Sequence, residues 1–152
     1  MPGPSPGQPH DALTAVRYSI TIDGHEIATF SELIGIISEV EPVEYLASTD
    51  KEVVSAKLPG KRKPPTLTLK RGKNTSMELW AWHEAVLTGQ VAAARKSCSL
   101  VMYNSEGKSV ARYHLENAWP SKIEIGVLKA GSSEVLTESV TIVCEHIQRL
   151  SV

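Results

Sequence analysis

Residues 57 to 73 read Lys57-Leu-Pro-Gly-Lys-Arg-Lys-Pro-Pro-Thr-Leu-Thr-Leu-Lys-Arg-Gly-Lys73, and they decide the expected fold more than any other stretch of the chain. The proline- and lysine-rich first half predicts a loop, and the alternating residues 66 to 70 predict a strand that ends near Gly72. Seven residues of the stretch are basic and none is acidic, although the whole chain has a formal net charge of −1. A local excess of one sign in a balanced chain is typical of a segment that meets a partner of the opposite sign.

An acidic segment precedes this basic run. It consists of Glu32, Glu39, Glu41, Glu44, Asp50 and Glu52. A chain with an acidic block and a basic block can bind copies of itself head to tail, and heterologous contacts of that kind produce rings or open filaments. The charge pattern therefore favours self-assembly.

The rest of the chain is expected to be mostly β-strand. Alternation over 16–22, followed by Asp23-Gly24, predicts a strand and a hairpin turn, with a return strand over 27–30. Residues 46–64 show no periodicity and predict a long loop. Thr75-Ser-Met-Glu78 fits a capping box that opens one helix, which Gly89 ends. Further strands are expected over 96–103, 109–119, 122–128 and 135–147, with a turn at Gly131. The prediction is a mainly antiparallel β-sandwich or small barrel with one α-helix.

Composition limits the classes that need to be considered. A chain of 152 residues predicts one domain, with residues 1–14 as a flexible Pro/Gly-rich arm and 15–152 as the folded unit. Cys98 and Cys144 lie on the apolar parity of strands and are expected to be buried free thiols. The N-terminus lacks the features of a secretory signal, and no run approaches the ~18 apolar residues of a membrane span, so we expect a cytoplasmic protein.

Catalytic and metal-binding patterns are weak, and we expect no enzyme, no cofactor and no metal. His83-Glu84 begins like the zinc motif HExxH, but Leu87 stands where the second histidine is required. Cys144-Glu-His146 places a nucleophile beside a base, yet residues two apart on a strand are ~6.6–7 Å apart at Cα and stand parallel. His83 is therefore expected to be a packed side chain.

Three segments, in this order and spacing, resemble one protein family. They are Phe30-Ser-Glu-Leu-Ile-Gly-Ile-Ile-Ser-Glu-Val-Glu-Pro-Val-Glu-Tyr45, the run from Lys57 to Trp82 with its Leu-Trp-x-Trp core, and Leu115-Glu-Asn-Ala-Trp-Pro-Ser-Lys122 followed by 135–145. Over about 16–147 the chain resembles the tail tube proteins of contractile phages and the inner-tube proteins of contractile injection systems.

The resemblance implies a protomer that joins six to a ring, with rings stacking into a hollow tube inside a contractile sheath. Its implied partners are other copies of itself, the sheath protein, baseplate or adaptor and cap proteins, and a payload in the channel. Trp80 and Trp82 are expected to anchor the helix on the sandwich, with the alternative that only one of them is buried and the other lies at an interface. Trp119-Pro120 is expected to form a corner between strands. Contacts between protomers are assigned to Glu39, Glu41, Glu44, Asp50, Glu52, Lys57, Lys61, Arg62 and Lys63.

Two alternative functions stay open at this point. The first, within the same fold, is a tube-initiating or baseplate adaptor, although the compact length favours the main tube. The second is a small nucleic-acid-binding β-barrel that uses residues 57–73; the near-neutral charge and the absence of aromatic residues in that stretch count against it.

Overall fold

The computed structural model describes residues 14–48, 53–72, 76–126 and 136–151, and it shows an antiparallel β fold. The strands are β1 Arg17–Ile22, β2 His25–Phe30, β3 Glu32–Ser48, β4 Val53–Gly72, β5 Lys96–Tyr103, β6 Ser109–Ile125, β7 Thr137–Val143 and β8 His146–Leu150. The helices are α1 Glu78–Leu87 and α2 Val91–Ala94. The predicted mainly β class is confirmed, and α2 adds one turn of helix that the sequence did not predict.

The strands follow the order β2-β1-β5-β6-β7-β4-β3, with β8 paired to β6. The first half of β6 pairs with β5 and β8, and its second half pairs with β7. Apolar side chains from both parts of the sheet meet in one core, as Ile20 and Phe30 from one part and Leu67 and Leu69 from the other show. The sheet therefore folds over itself as a sandwich, and β6 runs through both layers.

Trp119-Pro120 lies where β6 changes its partner strand, so the corner is at the predicted position. It is a bend within one strand, however, and not a gap between two strands. Ala118 still pairs with β5, Trp119 pairs with β7, and the register shifts between Pro120 and Lys122. The prediction of separate strands over 109–119 and 122–128 is wrong, because a bulge lets one strand bend without ending. The opposite error affects 135–147, where Cys144-Glu145 interrupts the predicted single strand between β7 and β8.

The predicted loop over 46–64 is also wrong within the described residues. β3 and β4 form a long antiparallel hairpin whose register runs from Glu32 opposite Lys70 to Ser48 opposite Val53. Residues 53–65 of β4 pair with β3 alone, because β7 pairs only with residues 66–72. Pro59 and Pro64 fit there because a strand that is paired on one side leaves half of its N–H groups unbonded, and bulges absorb the rest.

Helix α1 begins later than the capping box predicts. Its N-cap is Met77, whose side chain accepts no capping hydrogen bond, and Thr75 lies outside the described residues. The predicted C-terminal end is confirmed, since Gly89 has a φ of +85° and its N–H donates to the Val86 carbonyl at 3.1 Å. The hairpin at Asp23-Gly24 is confirmed in the same way, with φ values of 52° and 80°.

Candidate assembly surfaces

The outer half of the β3–β4 hairpin forms an arm that we define as residues 39–48 and 53–63. Most of the predicted contact residues lie on it, whereas Asp50 and Glu52 lie outside the described residues. At ~3.3 Å per residue, ten residues of strand give the arm a length of about 33 Å. The alternation that would reveal this strand pair in the sequence is interrupted by prolines and bulges, and we therefore missed it.

The acidic and basic blocks are cross-strand neighbours on this arm. Glu39 lies opposite Lys63, with 3.5 Å between the carboxylate and the ammonium group, and Glu44 lies opposite Lys57 and accepts a hydrogen bond from the Ser55 hydroxyl. Exposed pairs of this kind contribute only about 0.2–1 kcal/mol. Part of the charge complementarity that we read as intermolecular is thus satisfied within one chain.

Within the described part of the chain, three cations of the arm, Lys57, Lys61 and Arg62, make no ion pair within 4 Å. Lys57 lies opposite Glu44. Arg62 lies opposite Val40 rather than an acidic residue, and the bulge places Lys61 beside Gly60 and across from Glu41. These two side chains are the strongest candidates for a charged contact with another molecule.

One face of the arm is apolar. Val43 lies opposite Leu58 and Tyr45 lies opposite Ala56, so these side chains share a face. Val43, Tyr45 and Leu58 are each about half exposed, at 48%, 47% and 51%. An exposed apolar patch with charged neighbours is typical of a protein–protein contact.

Arg71 belongs to the basic run in sequence but not to its surface. It lies opposite Glu138 across β4 and β7, its Nε donates to a carboxylate oxygen at 3.2 Å, and its guanidinium lies 5.4 Å from the ring centre of Phe30. Both charged side chains are almost completely buried. Arg71 therefore contributes nothing to the basic surface.

The part of the sheet formed by β6, β7, β4 and β3 has two polar cross-strand rows on its outer face, beside the largely apolar row Trp119, Val143, Thr66 and Ile37. The cross-strand row Lys122, Thr141, Thr68 and Gly35 runs over this face, and the two threonine hydroxyls are 3.4 Å apart. The next row consists of Glu124, Ser139, Lys70 and Glu32. The alternate residues of β7, namely Glu138, Val140 and Ile142, are buried.

Neither outer strand of this four-stranded part has a second strand partner among the described residues, although His83 of α1 already contacts the Pro120 carbonyl. β3 pairs only with β4, and residues 119–125 of β6 pair only with β7. Unpaired strand edges promote association with another chain unless they are covered. We had no basis in the sequence for identifying these two edges, because they follow from the strand order.

The two tryptophans of α1 have different environments. Trp82 is buried, and its Nε1 donates to the Ala94 carbonyl at 2.6 Å, which ties α1 to α2. His83 is also buried, with its Nδ1 2.9 Å from the Pro120 carbonyl at the corner of β6. Trp82 and Pro120 are thus buried, whereas Trp119 is only half-buried and pairs with Val143. Trp80 is 40% exposed and contacts the His83 ring.

Trp80 belongs instead to an exposed apolar stripe on α1, which we define as Met77, Trp80 and Leu87. These residues are separated by three and seven positions and lie on the side of α1 away from Leu79 and Trp82. Of the two tryptophans expected to anchor the helix, Trp80 therefore lies on the exposed side. α1 contains more apolar residues than one face can hold, and this surplus was the sequence feature that could have shown the stripe.

The histidines and cysteines that the sequence singled out are not arranged as the motifs would require in the described part of the chain. No group of three or more His, Cys, Asp or Glu side chains in them could hold a metal ion. Burial raises the pKa of Cys98 to about 12, with a further contribution from nearby Cys144, and burial raises the pKa of Cys144 to about 11. His146 is exposed while Cys144 is buried, so the two do not form a nucleophile–base pair. No helix in the described stretches is long and apolar enough to cross a membrane.

Comparison with known proteins identifies the relatives of this chain. A family model described as T4-like virus tail tube protein gp19 matches residues 14–148. A chain of the sheath–tube complex of an extracellular contractile injection system, PVC, in its extended state has a TM-score of 0.75 at 19% identity, covering 93% of both chains. A chain of the tube-terminating cap of the anti-feeding prophage has a TM-score of 0.74 at 21% identity, covering 95% of both. Hcp1 from Flavobacterium johnsoniae has a TM-score of 0.50 at 15% identity, covering 87% of this chain and 93% of its own. No curated protein matches the chain.

Proposed function

Because the chain belongs to the T4-like virus tail tube protein family, we propose that it is the structural subunit of the inner tube of a contractile injection system or phage tail. Six protomers form a ring, and rings stack around a central channel that carries a payload. The single observation that carries the assembly is the four-stranded part of the sheet, whose outermost strands β3 and β6 (residues 119–125) each lack a strand partner on one side.

Ring closure is supported by the two open edges. They lie on opposite sides of the same sheet, so the β3 edge of one protomer can meet the 119–125 edge of the next. This contact is heterologous and closes when the rotation between neighbours divides a full turn. A closed ring covers both of these edges, which lowers the risk of uncontrolled association through them.

The outer face supplies the wall of the channel in this arrangement. The side chains directed there from β7 are Thr137, Ser139, Thr141 and Val143, as opposed to the buried set at 138, 140 and 142. Lys122 and Glu124 add charges of both signs from β6, and Lys70 and Glu32 do so from the other side of the sheet. A hydroxyl-rich wall of mixed charge does not hold a cargo of either sign strongly, which suits passage.

The partners and the location follow from the same proposal. The sheath, the baseplate or adaptor and the cap bind the assembled tube, and assembly takes place in the cytoplasm before the particle acts or is released. The sheath–tube and cap structures that share the fold support these partners. The protomer performs no reaction, and its thiols, with pKa values of about 12 and 11, are protonated near neutral pH.

A tube-initiating adaptor of the same fold is the second candidate. A chain of the anti-feeding prophage baseplate shares the fold with a TM-score of 0.73 at 18% identity, covering 95% of this chain and 98% of its own. An adaptor forms single rings, whereas a main tube protein stacks them. The number of rings per particle therefore distinguishes the two roles.

Nucleic-acid binding through the basic run receives less support from the fold. On the arm, Lys57, Lys61, Arg62 and Lys63 are interleaved with Glu39, Glu41 and Glu44, and Arg71 is buried. The phosphate-binding surface that remains is small. If the protomer did bind duplex DNA, its affinity would fall linearly with salt on logarithmic axes, and filter binding at two salt concentrations tests this.

The experiment for the assembly proposal is sedimentation velocity on the purified full chain over a wide concentration range, with negative-stain images of each fraction. We expect a ring species and larger stacks that grow with concentration. Stacks of many rings would favour the main tube protein, and single rings would favour the adaptor. Particles that end at a closed dimer would contradict both, because an isologous contact leaves no site for a third copy.

A further inference from the structure

A small cleft lies between the base of the hairpin arm and the start of β8. Its volume is about 100 Å³, and its lining includes Ser38 and Val40 from β3, Arg62 from β4 and His146 from β8. Val40 and Arg62 are cross-strand neighbours, so their side chains share one face of the arm. The cleft is formed within one protomer.

The cleft carries one charge for which the fold supplies no partner. Its charged lining among the described residues consists of Glu39, Arg62, Lys63 and Glu145. Lys63 offsets Glu39 at 3.5 Å, and Arg95, from outside the cleft, offsets Glu145 at 3.4 Å. Arg62 makes no ion pair within 4 Å in the part of the chain that the structure describes. The surplus is therefore one positive charge.

Hydrogen-bond donors accompany this charge. The Arg62 guanidinium presents its N–H groups in a planar fork that matches the oxygen atoms of phosphate and carboxylate groups. Ser38 contributes a hydroxyl, and the His146 imidazole can donate from the ring nitrogen that carries the proton. The Glu145 carboxylate, which could compete for these donors, already accepts a hydrogen bond from the Asn117 amide at 2.7 Å. The lining therefore suits an oxyanion.

The volume of the cleft decides the size of this ligand. At ~30 Å³ per water molecule, about 100 Å³ holds roughly three waters. A single tetrahedral ion such as phosphate or sulfate is of this size, whereas sites for larger organic ligands have roughly 300–1,000 Å³.

A larger cleft, beside the ends of β1, β2 and β4, has no such surplus of charge among the described residues. Its volume is about 340 Å³, and both Arg17 and Arg71 line it. Arg71 pairs with Glu138 at 3.2 Å, and Arg17 lies 3.8 Å from Glu26. Each cation there has an acidic partner, so the charges favour the smaller cleft.

We propose that the cleft between the arm and β8 is a binding site for a free tetrahedral oxyanion of the phosphate or sulfate type. The anion neutralises Arg62 and accepts hydrogen bonds from both sides of the cleft, so it joins the base of the arm to β8. This site goes beyond the proposed tube function and does not depend on it.

The test is isothermal titration of inorganic phosphate into the dilute full chain, with the ionic strength held constant by sodium chloride so that screening does not change. Arg62→Gln removes the surplus charge. Lys61→Gln is the matched control, because Lys61 is adjacent and exposed, and does not line the cleft. Arg62 is exposed as well, so both variants should keep the far-UV circular dichroism and melting temperature of the unmodified protein in phosphate-free buffer.

We expect saturable binding of one phosphate per chain, and sulfate should compete for the same site. Arg62→Gln should weaken binding about tenfold or more, because charge-assisted hydrogen bonds are lost, whereas Lys61→Gln should change it less than about twofold. Phosphate should also slow amide hydrogen exchange at residues 38–40 and 145–147, which places the bound ion between the arm and β8.

The absence of saturable phosphate binding to the unmodified chain would overturn the site. An equal loss of affinity in both variants would do so too, because it would indicate a general attraction to the basic arm. None of these measurements requires rings, so a chain that binds phosphate but never assembles would contradict the tube function alone.

Discussion

The buried pair Arg71–Glu138 allows a quantitative test of how the sheet is stabilised. The two side chains lie directly opposite each other on β4 and β7, 3.2 Å apart, and are 5% and 8% exposed. At an effective dielectric constant near 20, two unit charges at this distance attract by about 5 kcal/mol. Desolvation of both ions offsets much of this, so the pair adds little net stability, but either charge left alone is costly.

We therefore expect Glu138→Ala to destabilise the protein by about 3–5 kcal/mol, because the Arg71 guanidinium stays buried without its partner. At ~2–4 °C per kcal/mol for a domain of this size, the melting temperature should fall by roughly 6–20 °C. The double variant Arg71→Met/Glu138→Leu should recover most of this loss, since replacing a buried pair with apolar side chains is often neutral or stabilising.

Urea unfolding followed by circular dichroism measures these differences, under conditions where the protein is not assembled. Glu124→Ala is the control, since it removes one member of the exposed pair with Lys122 and should cost less than about 0.5 kcal/mol. A loss below about 1 kcal/mol for Glu138→Ala, or a double variant as unstable as the single one, would refute the reasoning.

Three further predictions concern the arm, the thiols and the helix anchor. Gly60→Ala should speed amide hydrogen exchange in the arm, because the new Cβ would lie 2.7 Å from a backbone carbonyl oxygen of β3. Gly35→Ala is the control and should not change the exchange rates, because no atom lies within 4 Å of its Cβ. Equal exchange rates in the two variants would contradict the prediction. The pKa values of Cys98 and Cys144 are raised in the folded state, so both thiols contribute stability that is full below pH 9.0 and is lost as the pH rises towards 11–12. Cys98→Ala should therefore lose less unfolding free energy over that pH range than the unmodified protein. An unchanged slope of unfolding free energy against pH would contradict this. Trp82→Phe should cost about 1–3 kcal/mol in urea unfolding, because it leaves a buried carbonyl of α2 without its donor, and a change below 0.5 kcal/mol would show that water replaces it.

Local features of the fold could be predicted from the sequence where one residue type determines the backbone. Asp23-Gly24 and Gly89 adopt the positive φ that their turns require, and the parity of Cys98 and Cys144 placed both thiols in the core. The corner at Trp119-Pro120 was also located correctly. These features depend on nearest neighbours along the chain, which the sequence shows directly.

The features that were missed depend on residues far apart in the chain. The prolines and glycine of the arm indicated a loop, but the strand survives because its outer side needs no hydrogen-bond partner and its bulges take up the irregular positions. Arg71 looked like a surface charge because its partner, Glu138, is 67 residues away. The open edges and the helix stripe follow from strand order and packing, which periodicity does not specify.

Cryo-electron microscopy of the assembled full chain tests the central claim most directly. The account predicts hollow tubes of stacked six-fold rings in which the β3 edge of each protomer lies against residues 119–125 of its neighbour, with Thr141 and Lys122 directed into the channel. A chain that stays a monodisperse monomer at every concentration, or a ring in which these two edges face solvent, would contradict it.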